Sequence, residues 1–299
     1  MIVALALSAM RATRAWPLPR VRAVGAALGA AFYTLGSARR HVTLTNLRLC
    51  FPDKSESERE QLARAHFRAF GQSVLDRGWL WWGTEEHIRR HVRWIDFHNY
   101  ENAAARGPVI LLAPHFVGLD AGGMLTGLSW RVVSVYSKQK NKAFDAAVLA
   151  GRRRFNSPVL LSRQDGIRAS LRALKEGLPF YYLPDMDFGR RDAVFVPFFG
   201  VKAATITAPA RLAKIAGALI VPCVTRMTAD GYDVQLYPAW EDFPGDDLIA
   251  ATSRMNTFIE DRVREMPEQY LWTHKRFKTR PPREASFYEK NPPPSEYRG

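Results

Sequence analysis

The ten residues from Leu111 to Asp120 read LLAPHFVGLD, and they indicate the fold class more directly than any other stretch. A short apolar run ends at Pro114, which has no N–H to continue a sheet. An amphipathic segment begins at Leu119, so His115 is predicted at the exit of a buried strand, just before a helix. Open α/β sheets bind their ligands at the carboxyl ends of their strands. We therefore expect His115 to belong to a functional site.

Asp120 follows His115 by five residues. With His115 in the turn and Asp120 in the first helical turn, the carboxylate can fold back onto the imidazole. Such a contact would fix the tautomer of the ring and raise the basicity of its other nitrogen, as a general base requires. No Ser or Cys stands in a nucleophile elbow nearby, so the attacking group should come from a substrate. The alternative is a surface or capped histidine without a catalytic role.

From Gly107 onward, short apolar runs alternate with amphipathic stretches. This pattern predicts an α/β fold with a mixed, largely parallel sheet flanked by helices. The predicted organisation is a basic membrane-associating segment over 1–50, a helical subdomain over 51–106, the α/β core over 107–280 and a flexible tail over 281–299. The predicted strands are Pro108–Ala113, Val132–Ser137, Pro158–Leu161, Pro179–Leu183, Leu219–Arg226 and Tyr232–Tyr237. The predicted helices are Leu119–Leu128, Asn141–Phe155, Gly166–Lys175, Ile206–Ala216 and Leu248–Glu265.

The N-terminal 52 residues hold seven arginines and no acidic residue. Two uncharged runs lie between the arginines, over 2–10 and 23–38, and both fall short of the roughly 20 apolar residues of a spanning helix. Arginines at headgroup level beside apolar residues are typical of an interfacial helix or hairpin on the cytoplasmic side of a membrane. A buried, alanine-rich helix of an ordinary soluble domain is the alternative.

The overall charge is strongly positive: 43 Lys and Arg against 29 Asp and Glu give +14 over 299 residues. Such a surface attracts nucleic acid, anionic lipid headgroups or an acidic carrier protein. A hydrophobic content of 47% excludes a disordered chain. Cys50 and Cys223 cannot form a disulfide framework, which favours a reducing compartment.

The basic run Arg152–Arg154 lies near Lys138, Lys140 and Lys142 in the sequence. A solvated face is the ordinary explanation of such a run, and docking of an acidic protein is the alternative. Charge alone also fits a nucleic-acid-binding protein, but the sequence has no recognition-helix module, aromatic RNA-binding string or zinc-ligand spacing. We therefore expect no nucleic-acid partner.

A second polar cluster, Pro184–Arg191, follows another apolar strand and reads PDMDFGRR. Arginines at such a position can bind an anion through two parallel hydrogen bonds. Asp185 and Asp187 have no further acid close by in sequence, whereas hard metals prefer several oxygen ligands. We therefore expect these carboxylates to orient arginines or cap a turn, and we expect neither a metal nor a cofactor.

The spacing of His115 and Asp120 resembles the His-x4-Asp signature of the glycerolipid acyltransferase superfamily. The rest of the chain is similar to one branch, the lipid A biosynthesis late acyltransferases, which add lauroyl or myristoyl chains. The similarity covers about 38–281. It is found in Pro184–Gly189 with Arg191 and Val194–Pro197, in Leu161 with Arg163 and Asp165, and in the string Pro267–Pro281.

The resemblance implies transfer of a fatty acyl chain from acyl carrier protein to a hydroxyl of a Kdo-bearing lipid A precursor. His115 would be the general base and Asp120 would orient it. Arg163 and Arg191 would stabilise the oxyanion or bind acceptor phosphate and carboxylate groups, and Asp185 and Asp187 would complete the substrate-binding set. The protein would lie at the cytoplasmic face of the inner membrane, peripherally or through one span. A phospholipid, aminolipid or other glycolipid acceptor is the alternative.

Overall fold

The structure is a computed structural model that describes residues 2–162 and 165–289. Its helices are α1 (Ile2–Ala12), α2 (Leu18–Leu35), α3 (Ser37–Cys50), α4 (Glu56–Trp82), α5 (Glu85–His91), α6 (His98–Ala104), α7 (Leu119–Ser129), α8 (Lys142–Arg152), α9 (Gly166–Lys175), α10 (Ala208–Ala216) and α11 (Leu248–Glu265). Its strands are β1 (Val92–Ile95), β2 (Val109–Leu112), β3 (Val133–Tyr136), β4 (Val159–Ser162), β5 (Phe180–Tyr182), β6 (Ala193–Phe198), β7 (Val201–Ile206), β8 (Leu219–Thr228) and β9 (Gly231–Leu236).

Seven strands form one sheet in the order β1-β9-β8-β2-β5-β3-β4. Every neighbouring pair is parallel except the β8–β9 hairpin. The central strand β2 is buried along its whole length, as expected for a strand covered by helices on both faces. The predicted mixed, largely parallel sheet flanked by helices is therefore confirmed. The carboxyl ends of β2, β5, β3 and β4 meet at one edge, and the loops there can share a site.

Two features depart from the sequence-based organisation. Strand β1 lies within the range 51–106 that was predicted to be helical, and it joins the main sheet by pairing with β9. The β6–β7 hairpin was not predicted either; Phe199 and Gly200 at its turn both have positive φ. Both elements are short, and the six residues of β7 lead directly into α10. Periodicity alone does not separate such strands from neighbouring helical sequence.

The predicted tail 281–299 is described as far as Glu289, and this part is packed rather than loose. Phe287 and Tyr288 are buried. The Tyr288 hydroxyl accepts a hydrogen bond from the Phe277 N–H at 3.0 Å and donates one to Asn46 Oδ1 at 2.5 Å. Phe287 and Tyr288 therefore join the hydrophobic core, whereas residues 282–285 are exposed and 290–299 lie outside the described residues.

The N-terminal helix α2 packs very closely against α4. A Cβ built on Gly29 would stand 2.0 Å from the carbonyl oxygen of Phe67, so only glycine allows this approach. A buried ion pair fixes the same contact, with Arg22 Nε 2.7 Å from Asp76 Oδ2. Helix α4 begins at a capping box formed by Ser55 and Glu58. Among the described residues, no helix combines the length and apolar character needed to cross a bilayer.

Candidate active site

His115 follows β2 at the carboxyl edge of the sheet, and its backbone is fixed by the C-terminal segment. The His115 carbonyl accepts a hydrogen bond from the Leu271 N–H at 2.9 Å, and the Val117 N–H donates to the Gln269 carbonyl at 2.8 Å. Phe116 forms a β-bridge with Tyr270 between these two bonds. The side chain of His115 keeps 15% of its surface exposed, so a substrate can reach the ring.

Asp185 is the carboxylate that holds the imidazole. It follows β5, which pairs with β2, and its Oδ1 lies 2.7 Å from His115 Nδ1. The same carboxylate accepts the backbone N–H of His115 at 3.0 Å and 3.2 Å. The side chain is fully buried. Because Nδ1 donates to this carboxylate, Nε2 is the nitrogen that can accept a proton.

Burial by itself would raise the pKa of Asp185. The charge and hydrogen bonds of His115 oppose burial and, with the charge of Arg276, lower this pKa to about 2. Arg276 is buried and held by the Ala204 carbonyl, Thr205 Oγ1 and Asn256 Oδ1. Tyr270 adds a hydrogen bond from its hydroxyl to Asp185. The carboxylate therefore stays ionised beside the ring, although its side chain is buried.

Asp120, expected to orient His115, instead contacts two arginines. Its Oδ2 accepts a hydrogen bond from Arg77 Nε at 2.5 Å, and its Oδ1 lies 3.9 Å from Arg152 Nη2. Burial would raise the pKa of Asp120, but the charges of Arg77 and Arg152 outweigh burial and lower it, and His115 adds a smaller effect in the same direction. The carboxylate bound to the imidazole is thus Asp185 and not Asp120, which we expected there.

The two arginines are themselves placed by aromatic rings. The guanidinium of Arg77 lies 5.6 Å from the centre of a Trp81 ring, and that of Arg152 lies 5.8 Å from the Tyr136 ring. Both distances are within the range of a cation–π contact. Arg77 comes from α4, so the helical segment before the sheet contributes directly to the site.

An apolar cavity of about 60 Å³ adjoins this cluster. At one end it is lined by Leu119, Asp120 and Leu183, which lie at the carboxyl edge of the sheet. At the other end it is lined by Gly127, Val132, Pro158 and Phe155, near the amino ends of β3 and β4. The cavity therefore runs along the sheet beneath α7. Four-residue strands of this kind span ~13 Å at about 3.3 Å per residue, and the lining residues are spread over about that distance.

Asp187 and Arg191, two further predicted substrate-binding residues, have their recorded partners away from His115. Asp187 accepts hydrogen bonds from the backbone and hydroxyl of Thr279, at 2.6 Å and 2.7 Å, and so anchors the C-terminal string. The Arg191 side chain is 94% exposed and lies 3.7 Å from Asp192. Arg163 falls outside the described residues. Substrate contact by these residues stays a prediction.

The sequence analysis missed the roles of Arg77, Arg152 and Tyr270. Arg152 was noted only as part of a basic run, and nothing in its neighbours distinguishes it from Arg153. Tyr270 lies inside the string Pro267–Pro281, on which the family resemblance partly rests. That resemblance was the signal that could have pointed to Tyr270. In the part of the chain that the structure describes, no three His, Cys, Asp or Glu side chains come together as a metal site.

The fold and the site define an α/β enzyme with a histidine held by a buried aspartate at the carboxyl edge of the sheet. The chain belongs to the bacterial lipid A biosynthesis acyltransferase family, whose model matches residues 1–279. The resemblance seen in the sequence is thereby confirmed. The protein is an acyltransferase that transfers groups other than aminoacyl groups.

Three relatives from Escherichia coli K12 illustrate the range of acyl groups in the family. The chain is 34% identical to a lipid A biosynthesis lauroyltransferase over 277 residues, which cover 91% of this chain and 90% of the relative. It is 33% identical to a palmitoleoyltransferase over 280 residues, with coverages of 91% and 89%. It is also 33% identical to a myristoyltransferase over 260 residues, with coverages of 86% and 80%. These near-equal identities do not single out one acyl group for this chain.

Proposed function

We propose that this protein transfers a fatty acyl chain of the lauroyl or myristoyl class from acyl carrier protein to a hydroxyl of a Kdo–lipid A precursor. The observation that best supports the proposal is His115, fixed by Asp185 at the carboxyl edge of the sheet. The family supplies the lipid A precursor as the acceptor class. The donor, the chain length and the roles of the site residues are our inferences from the geometry.

His115 acts as the general base in this proposal. Its Nε2 takes the proton of the acceptor hydroxyl as the oxygen attacks the carbonyl carbon of the thioester. A C–O bond forms, the C–S bond breaks, and the departing thiolate takes the proton from the imidazolium. Asp185 stabilises the positive ring during both proton transfers. General acid–base catalysis of this kind contributes a factor of roughly 10²–10⁴ in rate.

The cavity beneath α7 binds a segment of the acyl chain of the donor. Its walls are mainly apolar, and its charged end includes Asp120, whose carboxylate interacts electrostatically with His115. Each methylene buried there stabilises the bound donor by about 0.8 kcal/mol. A chain extended along the cavity would place its carbonyl at the end nearest the imidazole, where the hydroxyl attacks.

The carrier protein docks on the basic surface formed by Lys138, Lys140, Lys142 and Arg153. All four side chains are exposed, and among the described residues no carboxylate lies within ion-pairing distance of them. The loop after β3 that holds the first two lysines emerges from the carboxyl edge of the sheet, as His115 does. An acidic partner is attracted to such a surface, and the attraction weakens as salt is added.

The N-terminal helices bind the cytoplasmic face of the inner membrane. Helix α2 exposes a stripe that includes Leu28, 53% exposed, and Leu35, 82% exposed. Arg11, Arg14 and Arg20 are exposed nearby. Apolar side chains flanked by arginines suit the boundary between lipid headgroups and acyl chains. Vesicle flotation tests this part: Leu28→Glu with Leu35→Glu should release the protein from anionic vesicles, and unchanged flotation would refute the assignment.

Mass spectrometry of the lipid products tests the function itself. Purified protein would be supplied with lauroyl- and myristoyl-acyl carrier protein and with a Kdo–lipid A precursor, a phospholipid, an aminolipid or another glycolipid in separate reactions. We expect one added acyl group on the Kdo–lipid A precursor. Acylation confined to another acceptor would favour the alternative substrate. His115→Gln should remove activity without loss of folding, and full turnover by this variant would exclude His115 as the base.

A further inference from the structure

A second cavity, a cleft of about 620 Å³, lies between α4 and the turn of the β8–β9 hairpin. Its volume falls within the ~300–1,000 Å³ typical of ligand-binding clefts. Three arginines, three glutamines and one glutamate are among the residues that line it. Arginine binds phosphate and carboxylate groups, whereas amides and carboxylates hydrogen-bond hydroxyls. This lining therefore suits a ligand that carries both an anionic group and hydroxyl groups.

The cleft adjoins both the loop of His115 and the N-terminal helices. Gln269 lines it, and the Gln269 carbonyl accepts a hydrogen bond from the Val117 N–H at 2.8 Å. The Gln269 side chain is held by the backbone of Met227, whose N–H donates to Oε1 at 2.7 Å and whose carbonyl accepts from Nε2 at 3.1 Å. Strand β8 runs parallel to β2 and continues six residues beyond its pairing with that strand, so the cleft lies on the carboxyl side of the sheet. Arg22 of α2 also lines the cleft, which places it beside the helix that we propose to bind the membrane.

Among the described residues, Arg68 is the arginine of this cleft that no carboxylate pairs with. Arg22 is paired with Asp76 at 2.7 Å, and Arg64 is paired with Glu60 at 2.6 Å. The second pair is exposed on both sides, and such a pair is weak enough for Arg64 to turn towards a ligand. Arg64 and Arg68 stand four residues apart on α4, where side chains are neighbours, and both are exposed. Two guanidinium groups are thus available to one anion.

Glu268 gives the cleft a second kind of contact. Its carboxylate has no ion-pair partner in the part of the chain that the structure describes, and its recorded hydrogen bond, from Gln269 Nε2, is long at 3.4 Å. A carboxylate accepts hydrogen bonds from sugar hydroxyls but repels a phosphate. A free inorganic anion would gain nothing from Glu268, whereas an anionic sugar can use the arginines and Glu268 together.

We propose that this cleft binds the sugar headgroup of the acceptor, with Arg68 and Arg64 holding one of its anionic groups and Glu268 accepting hydrogen bonds from its hydroxyls. The inference rests on the proposed acyl transfer and deepens it by assigning a site to the acceptor. The anionic group is a phosphate or a Kdo carboxylate, because arginine binds both through two parallel hydrogen bonds. Arg64 and Arg68 thus take the acceptor-binding role for which the sequence suggested Arg163 or Arg191.

Arg68→Gln and Arg226→Gln form a matched pair for the test. Each removes one exposed positive charge, but Arg226, on β8 beside Met227, does not line the cleft. With lauroyl-acyl carrier protein in excess, we expect Arg68→Gln to raise the KM for the Kdo–lipid A precursor roughly tenfold, as the loss of a hydrogen bond to a charged group does. The kcat and the KM for the donor should change less than about threefold, because the headgroup contact is the same in the ground state and the transition state. Arg226→Gln should keep all three parent values.

Two truncated acceptors identify the anionic group, one without phosphates and one without Kdo. If Arg68 binds a phosphate, Arg68→Gln and the parent should have equal KM values for the phosphate-free acceptor. If Arg68 binds a Kdo carboxylate, the KM values should be equal for the Kdo-free acceptor instead. Flotation with vesicles of phosphatidylcholine and phosphatidylglycerol separates the acceptor from bulk membrane lipid, and Arg68→Gln should float as the parent does. Circular dichroism establishes that each variant is folded.

Several outcomes would overturn the inference. An equal rise of KM in Arg226→Gln would reduce the effect to general charge, and an undiminished effect with both truncated acceptors would exclude a direct contact. Lost flotation with an unchanged KM for the acceptor would assign the cleft to a membrane phospholipid. If the parent protein acylates no acceptor, the proposed function fails and the inference falls with it. An unchanged KM in Arg68→Gln beside an active parent refutes the inference alone.

Discussion

Replacing Gly127 with leucine tests whether the cavity beneath α7 holds the acyl chain. Gly127 lies at the end of the cavity far from His115, about eight residues along α7 from Leu119, or ~12 Å at 1.5 Å per residue. A Cβ built on Gly127 meets no atom within 4 Å, so a larger side chain would grow into open space. The change also removes a glycine from a helix, which by itself favours folding by up to about 1 kcal/mol.

The size of the effect follows from the hydrocarbon displaced. A leucine side chain has four carbon atoms and would take the place of about three to four methylenes of a long donor chain. At about 0.8 kcal/mol for each methylene, displacing three to four of them lowers the binding free energy of the donor by ~2.4–3.2 kcal/mol. This loss corresponds to a decrease of about 60- to 200-fold in kcat/KM, since 1.4 kcal/mol is a factor of ten. Gly127→Ala should cost about one methylene, or roughly fourfold.

The assay compares donors of increasing length on the same variant. Octanoyl-, decanoyl-, lauroyl- and myristoyl-acyl carrier protein would be supplied at limiting concentration, and ester formation would be followed by mass spectrometry. The long donors should lose rate in Gly127→Leu, whereas the shortest donor should react as it does with the parent, so it is the internal control. If kcat/KM fell equally for every donor, or if the variant kept the parent's preference among chain lengths, the acyl chain would lie elsewhere.

Three further predictions concern stability and its dependence on pH. Arg22→Met should lower the free energy of unfolding by about 3–5 kcal/mol in urea denaturation, because it leaves the buried Asp76 carboxylate without its ion-pair partner. The double variant Arg22→Met with Asp76→Asn should recover most of the lost stability. If the single and double variants were destabilised equally, the ion pair would be excluded as the cause. Burial lowers the pKa of His66 to about 4, so the folded state resists protonation and stability should fall between pH 6.5 and 4 with a slope of about 1.4 kcal/mol per pH unit. His66→Asn should remove that contribution, and an unaltered slope would contradict it. Burial also lowers the pKa of His274, to about 3, so a second contribution of the same sign should persist in the His66 variant.

The sheet was largely predictable because its strands are apolar runs bounded by turn residues. All six predicted strands are present, and the helices Gly166–Lys175 and Leu248–Glu265 have the predicted bounds. Strand β1 was missed because its four residues read VRWI, with a charge at the second position and no long apolar run. Its pairing with β9, 140 positions further along the chain, supplies the stabilisation that its own sequence lacks.

The site was predictable only in part because its contacts are long-range. His115 could be placed at a strand exit from local sequence, and the structure places it there. Its partner could not be chosen, since Asp185 reaches the imidazole through the pairing of β2 with β5, 70 positions away in sequence. Asp120 was close enough in sequence to be chosen, but Arg77 from α4 competes for its carboxylate. Local spacing shows which contacts are possible, whereas the strand order decides which of them forms.

The hydrogen bonds that fix the backbone around His115 have a consequence for heating. The loop from Ala113 to Gly118 is held by residues 269–271 on one side and by Asp185 on the other. A loop with hydrogen bonds on both sides does not unfold locally, because its release requires the sheet and the C-terminal segment to separate together. Activity and tertiary structure should therefore disappear at the same temperature, and a brief heat pulse below that temperature should leave the enzyme fully active.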